Sequence, residues 1–320
     1  MTKKQEDNPV VSNLDSTTLD SRSMRFVDSC IKRWGADPMQ DERCNGFRAG
    51  FANWIDSLPN YARKEAFIHM SCFKYFTHQA SNDCLRELHE LISSENYYDS
   101  QTCVFSYIRR GDGALNSSFH LLSEYMLIND IPSEYGVLDY STIVNHISNI
   151  KTIVFVDDFC GTGNTFCKLI EEQFECLSEQ TRIIYAVICS MRQGKKVIEE
   201  YAKQRGLAID VVSIHNQREL YGTERKDRKD VICDCAKELG ISKEYALGYK
   251  ESQSLVAFYE NTPNNTFGYI WGNPKTESSC QTYKPIFPRK KRCNPGWRSM
   301  RQGKKNRRQQ QYISKCSPEE

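Results

Sequence analysis

Lys151–Phe166 reads KTIVFVDDFCGTGNTF: an apolar run, two adjacent carboxylates, a Gly/Thr-rich turn and the start of an amphipathic stretch. The apolar run predicts a central strand over Thr152–Val156, with Asp157 and Asp158 emerging at its carboxyl end. Adjacent carboxylates repel each other and are costly to desolvate, so they are tolerated where they stay exposed or meet hydroxyl donors or a cation. A ribose diol with Mg²⁺ close by would satisfy both. Gly161, Thr162, Gly163, Asn164 and Thr165 then lead into a helix carrying Phe166, Leu169 and Ile170. Small residues there let the backbone wrap an anion, and the N–H groups at the helix start, with the Thr hydroxyls, can bind its oxygens. Carboxylates for a sugar diol followed by a phosphate cup describe a site for a 5-phosphoribosyl group. Read plainly, the two acids are turn and cap residues, and a lone Asp-Asp would favour that reading.

Outward from this motif, short apolar runs at Cys103–Ile108, Ile183–Cys189, Ala208–Ile214 and Leu255–Tyr259 alternate with helical faces at Leu115/Phe119/Leu122/Met126 and Val197/Ile198/Tyr201. Continuously apolar strands separated by amphipathic helices predict an α/β fold, a parallel sheet covered on both faces, with ligands beyond the carboxyl ends of the strands. Ser23 to about Ser94 reads as a helical region packed on that core: Leu85, Leu88, Leu91 and Ile92 share a face behind the candidate caps Ser81, Asn82 and Asp83. Phe67, Met70 and Phe73 mark another core face. The expected organisation is a disordered N-terminus over 1–22, the helical region over 23–98, the α/β domain over 99–280 and a disordered basic tail over 281–320.

The chain of 320 residues can bury a sizeable core. Its opening residues lack the apolar stretch of a signal peptide and no later run approaches the roughly 20 apolar residues of a membrane helix, so a cytoplasmic protein without a membrane partner is expected. Fourteen cysteines are scattered without a CxxC pair, which reads as reduced, partly buried thiols, and the spacing of Cys233 and Cys235 reads as helix residues rather than a zinc site. The net charge of +2 is uneven: residues 281–320 hold twelve Lys/Arg against two Glu, a local +10, which leaves −8 on residues 1–280. Such a tail either lies solvated, folds back on the acidic body, or contacts a nucleic acid or ribonucleoprotein, with Trp297 able to stack on a base.

The ordered set of strand, Asp157-Asp158, Phe159, Cys160, Gly161, Thr162, Gly163, Asn164 and Thr165 resembles the signature of type I phosphoribosyltransferases, in which Asp-Asp and three further residues precede Thr-Gly-Gly-Thr. Asn164 departs from the pattern by replacing a Gly, at a point where Asn tolerates left-handed backbone. The resemblance implies that Asp157 and Asp158 hold the ribose hydroxyls and Mg²⁺ and that Gly161–Thr165 anchor the 5-phosphate. It further implies a pyrophosphate loop, for which Ile108–Ser118, with Arg109, Arg110, Gly111 and Gly113, is the candidate; an exposed polar turn is the competing reading. A third segment, Gly248–Asn273, ends an apolar strand in Asn261, Thr262, Asn264, Asn265 and Thr266, followed by Phe267, Tyr269 and Trp271. Amides beside a stacking surface could hold a base or other acceptor, and a polar turn over a core edge is the alternative. With the helical N-terminal region, these features together resemble the PRTase-CE effector family of bacterial conflict systems. That resemblance implies a phosphoribosyltransferase-like protein acting at the anomeric carbon of phosphoribosyl pyrophosphate or a nucleotide, in anti-phage defence, sometimes beside a retron reverse transcriptase. A non-catalytic nucleotide sensor or a nucleic-acid-binding component of a defence complex are the other readings.

Overall fold

A computed structural model describes residues 16–94, 102–109, 117–174, 181–222, 224–273 and 283–290. Three helices open the chain, α1 (Ser16–Trp34), α2 (Glu42–Ser57) and α3 (Asn60–Cys72), followed by the short strand β1 (Lys74–Phe76) and α4 (His78–Ser94). The α/β part then runs β2 (Cys103–Tyr107), α5 (Ser117–Ile128), α6 (Tyr140–Asn145), β3 (Thr152–Cys160), α7 (Asn164–Gln173), β4 (Arg182–Met191), α8 (Arg192–Arg205) and β5 (Ile209–Gln217). It closes with α9 (Lys226–Glu238), β6 (Val256–Phe258) and the single turn α10 (Gly268–Trp271). Helix α1 begins at Ser16, ahead of the boundary expected at Ser23, and Arg110, Gly111, Gly113, Leu115 and the tail beyond Lys290 lie outside the described residues. No helix among the described residues is long and apolar enough to cross a membrane.

Strands β2–β5 form a parallel sheet in that order, with Phe105 opposite Val154, Phe155 opposite Tyr185 and Tyr185 opposite Val211. This sequential order hides a reversal. Gly136 makes a parallel bridge to Phe105, Val137 N–H donates to the Phe105 carbonyl at 2.8 Å, and Ser106 Oγ donates to the Val137 carbonyl at 2.7 Å. The chain leaving β2 through α5 therefore first returns to the outer edge of β2 and only afterwards enters β3 on the other side. Right-handed crossovers in opposite directions put their helices on opposite faces. Accordingly Val154 and Val156 pack with Leu85 and Leu88 of α4 and Leu121 and Tyr125 of α5, while Ile153 and Phe155 pack with Phe166 and Ile170 of α7 and Ile198 of α8. The gap between the carboxyl ends of β2 and β3 is a topological switch point, where open α/β sheets bind ligands.

Two further strands pair apart from this sheet: β1 and β6 run parallel, with Tyr75 opposite Ala257. Behind them α1–α3, α9 and the segment after α10 share one core. Phe287 is fully buried at its centre, stacked on Phe47 and Phe73 at ring separations of 5.5 and 4.9 Å. Tyr283–Phe287, expected at the start of the tail, is thus core material. The same core holds a polar chain: Tyr269 donates to His69 Nδ1 at 2.6 Å, His69 Nε2 meets the Tyr221 hydroxyl, and Tyr221 donates to Glu65 at 2.8 Å. Burial and the Arg228 charge hold the His69 pKa down to about 3, so the ring is neutral. At α4 the cap is Thr77, whose Oγ1 accepts the Ala80 N–H at 3.0 Å; Ser81 lies inside the helix, and Leu91 is exposed although it shares the expected face.

Candidate functional site

Strand β3 continues through the acidic pair to Cys160, so Asp157 and Asp158 lie within the strand rather than after it. Pairing to β4 sets Asp157 opposite Val187 and Phe159 opposite Cys189. Strict alternation breaks at the pair: Phe159 packs with Val154 and Val156 on the α4/α5 side, and Cys160 with Ile153 and Phe155 on the α7 side. Asp157 turns to the α7 side: Tyr185 donates to its Oδ2 at 2.9 Å and the Asp158 N–H to its Oδ1 at 3.0 Å. Burial and then the Asp158 charge push the Asp157 carboxyl well above the usual carboxylate range. The Asp158 charge contributes to raising the pKa of Tyr185, Cys189 and Tyr259 as well.

The turn after β3 owes its glycines to its neighbours. A Cβ on Gly161 would lie 2.5 Å from the Asn265 amide, and one on Gly194, in the first turn of α8, would lie 2.2 Å from the Gly161 carbonyl. Gly163 has φ of +74° and is the left-handed residue before α7. Asn164 is therefore the first helical residue, and its substitution for Gly costs no backbone strain; its amide donates to Thr162 Oγ1 at 3.2 Å. The helical ladder begins with the Cys167 N–H donating to the Gly163 carbonyl at 3.1 Å, so the N–H groups of Asn164, Thr165 and Phe166 precede it.

A cavity of about 520 Å³ opens beside this helix, lined by Arg109 from the end of β2, Tyr140, Tyr249, and Asn164, Thr165, Lys168 and Glu172 of α7. Two hydroxyls that the sequence reading did not single out hold the end of β2 here. Tyr140 accepts the Arg109 N–H at 2.7 Å and donates to the Tyr107 carbonyl at 2.5 Å, which fixes the chain where it leaves β2. Ser118 accepts the Ile108 N–H at 2.7 Å and donates to the Val156 carbonyl at 2.6 Å, tying β2 to β3 across the switch point. The only sequence cue to Tyr140 is Asp139, which caps α6 by accepting the Ser141 N–H at 3.1 Å.

The third segment divides. Asn265 reaches the turn, its amide donating to Ser252 Oγ at 3.1 Å beside Gly161. Thr266 is fully buried and donates to the Val256 carbonyl at 2.7 Å, a tie within the fold. Asn261 Oδ1 accepts the Thr262 N–H at 2.9 Å, and the Asn264 carbonyl accepts the Tyr249 N–H at 2.8 Å. Phe267 and Tyr269 are fully buried in the helical core, which corrects their expected role as a stacking surface. Trp271 donates to the Thr266 carbonyl at 2.7 Å, with the Arg289 guanidinium 5.7 Å from its ring centre.

Among the described residues no three His, Cys, Asp or Glu side chains gather as a metal cluster. Mg²⁺ commonly takes one or two carboxylates together with substrate phosphates and water. Asp157 and Asp158 offer that donor type, so an ion here would share its coordination with a ligand's phosphates.

The profile of the PRTase-CE family matches residues 51–289, most of the chain and all of the site just described. The chain belongs to the PRTase-CE family. No curated protein matches it. Among solved structures, a hypothetical protein from Neisseria gonorrhoeae with bound ppGpp is similar at 12% identity, covering 50% of this chain and 96% of that one, with a TM-score of 0.29. A superposition that loose carries no argument about this chain.

Proposed function

We propose that the cavity at the switch point holds the phosphoribosyl part of phosphoribosyl pyrophosphate or of a nucleotide. The observation that supports it most is the convergence of Arg109 with the first turn of α7, Asn164 and Thr165, and with Lys168 on one cavity. Two cations and a helix start, against the single carboxylate of Glu172, favour an anion in this cavity. Asp157, on that face, would accept from a ribose hydroxyl, and Mg²⁺ bound through the ligand's phosphates would neutralise the pyrophosphate. Arg109 with Arg110 would face the leaving group, and Asn265, held against Gly161, would border the acceptor side. The reaction would break the bond between the anomeric carbon and pyrophosphate, and family membership supports a place for it in anti-phage defence.

One observation favours a binding module without turnover. The raised Asp157 carboxyl is neutral over part of the pH range and then cannot steady positive charge at the anomeric carbon, although it still hydrogen-bonds a diol. Melting curves with phosphoribosyl pyrophosphate and Mg²⁺, run beside an assay for released pyrophosphate, separate the two. A ligand at 100 times its dissociation constant stabilises by about 2.7 kcal/mol. A shift abolished by Arg109→Glu supports the pocket, and release of pyrophosphate supports the enzyme. An unchanged melt with both phosphoribosyl pyrophosphate and nucleotides overturns the pocket.

A further inference from the structure

The cavity follows α7 from Asn164 in its first turn to Gln173 in its last, about 13.5 Å of helix. An anion at the helix start fills one end of that length. Farther along, Lys168 and Glu172 pair with each other at 3.4 Å, and the rest of the wall is Leu169, Gln173 and, from a separate segment, Tyr249. Two aromatic rings thus line the cavity, and they differ. Tyr140 is buried against Phe174 and Phe155 at ring separations of 5.3 and 6.3 Å, with its hydroxyl engaged by the chain leaving β2. Tyr249 is only half-buried, so it keeps open surface.

The backbone around Tyr249 is strained. Gly248, Lys250, Glu251 and Gln253 have φ of +78°, +54°, +54° and +49°, and only the first is a glycine. Such a run crowds each Cβ against its own carbonyl and persists where the surroundings over-determine it, as at ligand clamps. Here they do. The Tyr249 N–H donates to the Asn264 carbonyl at 2.8 Å, Ser252 Oγ donates to the Tyr249 carbonyl at 2.8 Å, and Gln253 Oε1 accepts the Tyr221 N–H at 2.9 Å. Lys250 Nζ lies 5.9 Å from the Tyr249 ring centre, a cation–π contact that adds to the hold on the ring. Gly248 lies so close to the Asn265 carbonyl that a Cβ would overlap it, and the Asn265 amide in turn lies against Gly161. One residue therefore fixes both the turn after β3 and the segment that carries the ring.

We infer that Tyr249 is the platform on which the base of a nucleotide stacks, so that the cavity takes a nucleoside 5′-phosphate in preference to a phosphoribosyl compound without a base. The inference rests on the phosphoribosyl reading above. The phosphate sits with Arg109 at the start of α7, and the base lies farther along the helix against Tyr249. Tyr249 takes the place of Phe267 and Tyr269, which are buried in the core. Stacking tolerates every base, because each has a π-face. The Gln173 amide both donates and accepts, which suits the edge of any of them.

The test is titration calorimetry on the full chain with Mg²⁺, comparing ribose 5-phosphate with AMP and UMP. The wild type is expected to bind the two nucleotides more tightly than the sugar phosphate. Loss of a stacking ring weakens binding by about 5–150-fold, equivalent to about 1–3 kcal/mol. The ratio of the sugar phosphate and nucleotide dissociation constants is expected to fall by that factor in Tyr249→Ala and to survive in Tyr249→Phe, which keeps the ring. A ratio read within one variant is insensitive to lowered stability, and Tyr249→Leu, which fills part of the volume without a π-face, replaces an alanine variant that does not fold. A wild type that binds ribose 5-phosphate as tightly as the nucleotides overturns the inference alone. So does a ratio unchanged in the alanine or leucine variant, or one lost equally in Tyr249→Phe. A wild type that binds neither nucleotide, ribose 5-phosphate nor phosphoribosyl pyrophosphate overturns the pocket reading and this inference with it.

Discussion

The Tyr185 hydroxyl donates to Asp157 Oδ2 at 2.9 Å, from the strand beside β3. The bond gives one acid of the pair a fixed partner in the empty protein, and it makes Asp157 a group whose ionisation is linked to folding.

Burial raises the Asp157 pKa above its unfolded value, so the folded state binds the proton more tightly. Its stabilising contribution is full below the unfolded pKa of about 3.9 and is lost as pH rises through the folded value. Asp157→Asn is therefore expected to raise the melting temperature of the empty protein at pH 7, by about 2–4 °C per kcal/mol gained, and to bring no gain below about pH 4. Melts at pH 3.5 and 7 check this, and a less stable Asn variant at pH 7 would contradict it.

His69 gives the opposite slope. Its folded pKa of about 3 lies below the unfolded value of about 6.5, so the unfolded state takes up the proton first and stability falls as pH drops across that window. Replacing His69 by Gln should cost stability at pH 7, because Tyr221 and Tyr269 lose matched partners, yet flatten the dependence between about pH 6 and pH 4. Urea unfolding across that range reads both.

Much of this was legible beforehand and some was not, for physical reasons. β3, β4 and β5 announce themselves as apolar runs because both faces of the sheet are covered; their ends do not. β3 continues through Asp157 and Asp158 because main-chain pairing with β4 is indifferent to side-chain charge. β1 and β6 span three residues each, and only β6 lies inside a readable apolar run. Gly161 and Gly163 read as a cup around an anion, whereas the contacts that forbid a Cβ come from Asn265 and from Gly194, 104 and 31 residues from Gly161 and Gly163 respectively. The Phe267 and Tyr269 rings looked like a surface because no local pattern reveals that α1–α3 cover them. Ser118 and Tyr140 carry no cue that their hydroxyls bridge strands.

The turn offers a coupled pair. Gly161→Ala drives a Cβ into the Asn265 amide, and Asn265→Ala removes that amide, whereas Gly194→Ala meets the Gly161 backbone carbonyl. Overpacking costs about 1–3 kcal/mol. The double mutant Gly161→Ala with Asn265→Ala should fall short of the summed single effects by about 0.5–3 kcal/mol. No such relief is expected for Gly194→Ala with Asn265→Ala. Denaturant titration of the two cycles distinguishes them.

Ser118→Ala should cost about 1–3 kcal/mol, because it removes the hydroxyl that accepts the Ile108 N–H and donates to the Val156 carbonyl. Urea midpoints at constant slope measure it. A loss under about 0.5 kcal/mol would mean that water replaces the hydroxyl at both groups.

Phe287 stacks on Phe73, so the core behind β1 is finished only when a residue about 200 positions later has been made. At roughly 5–20 residues per second, the apolar faces of α1–α3 wait about 10–40 s after emerging before their cover arrives. The nascent chain therefore carries these aromatic faces incompletely covered through about two-thirds of its synthesis. Ribosome-stalled chains ending before residue 255 should be cut readily within α2 by a protease that spares the finished protein.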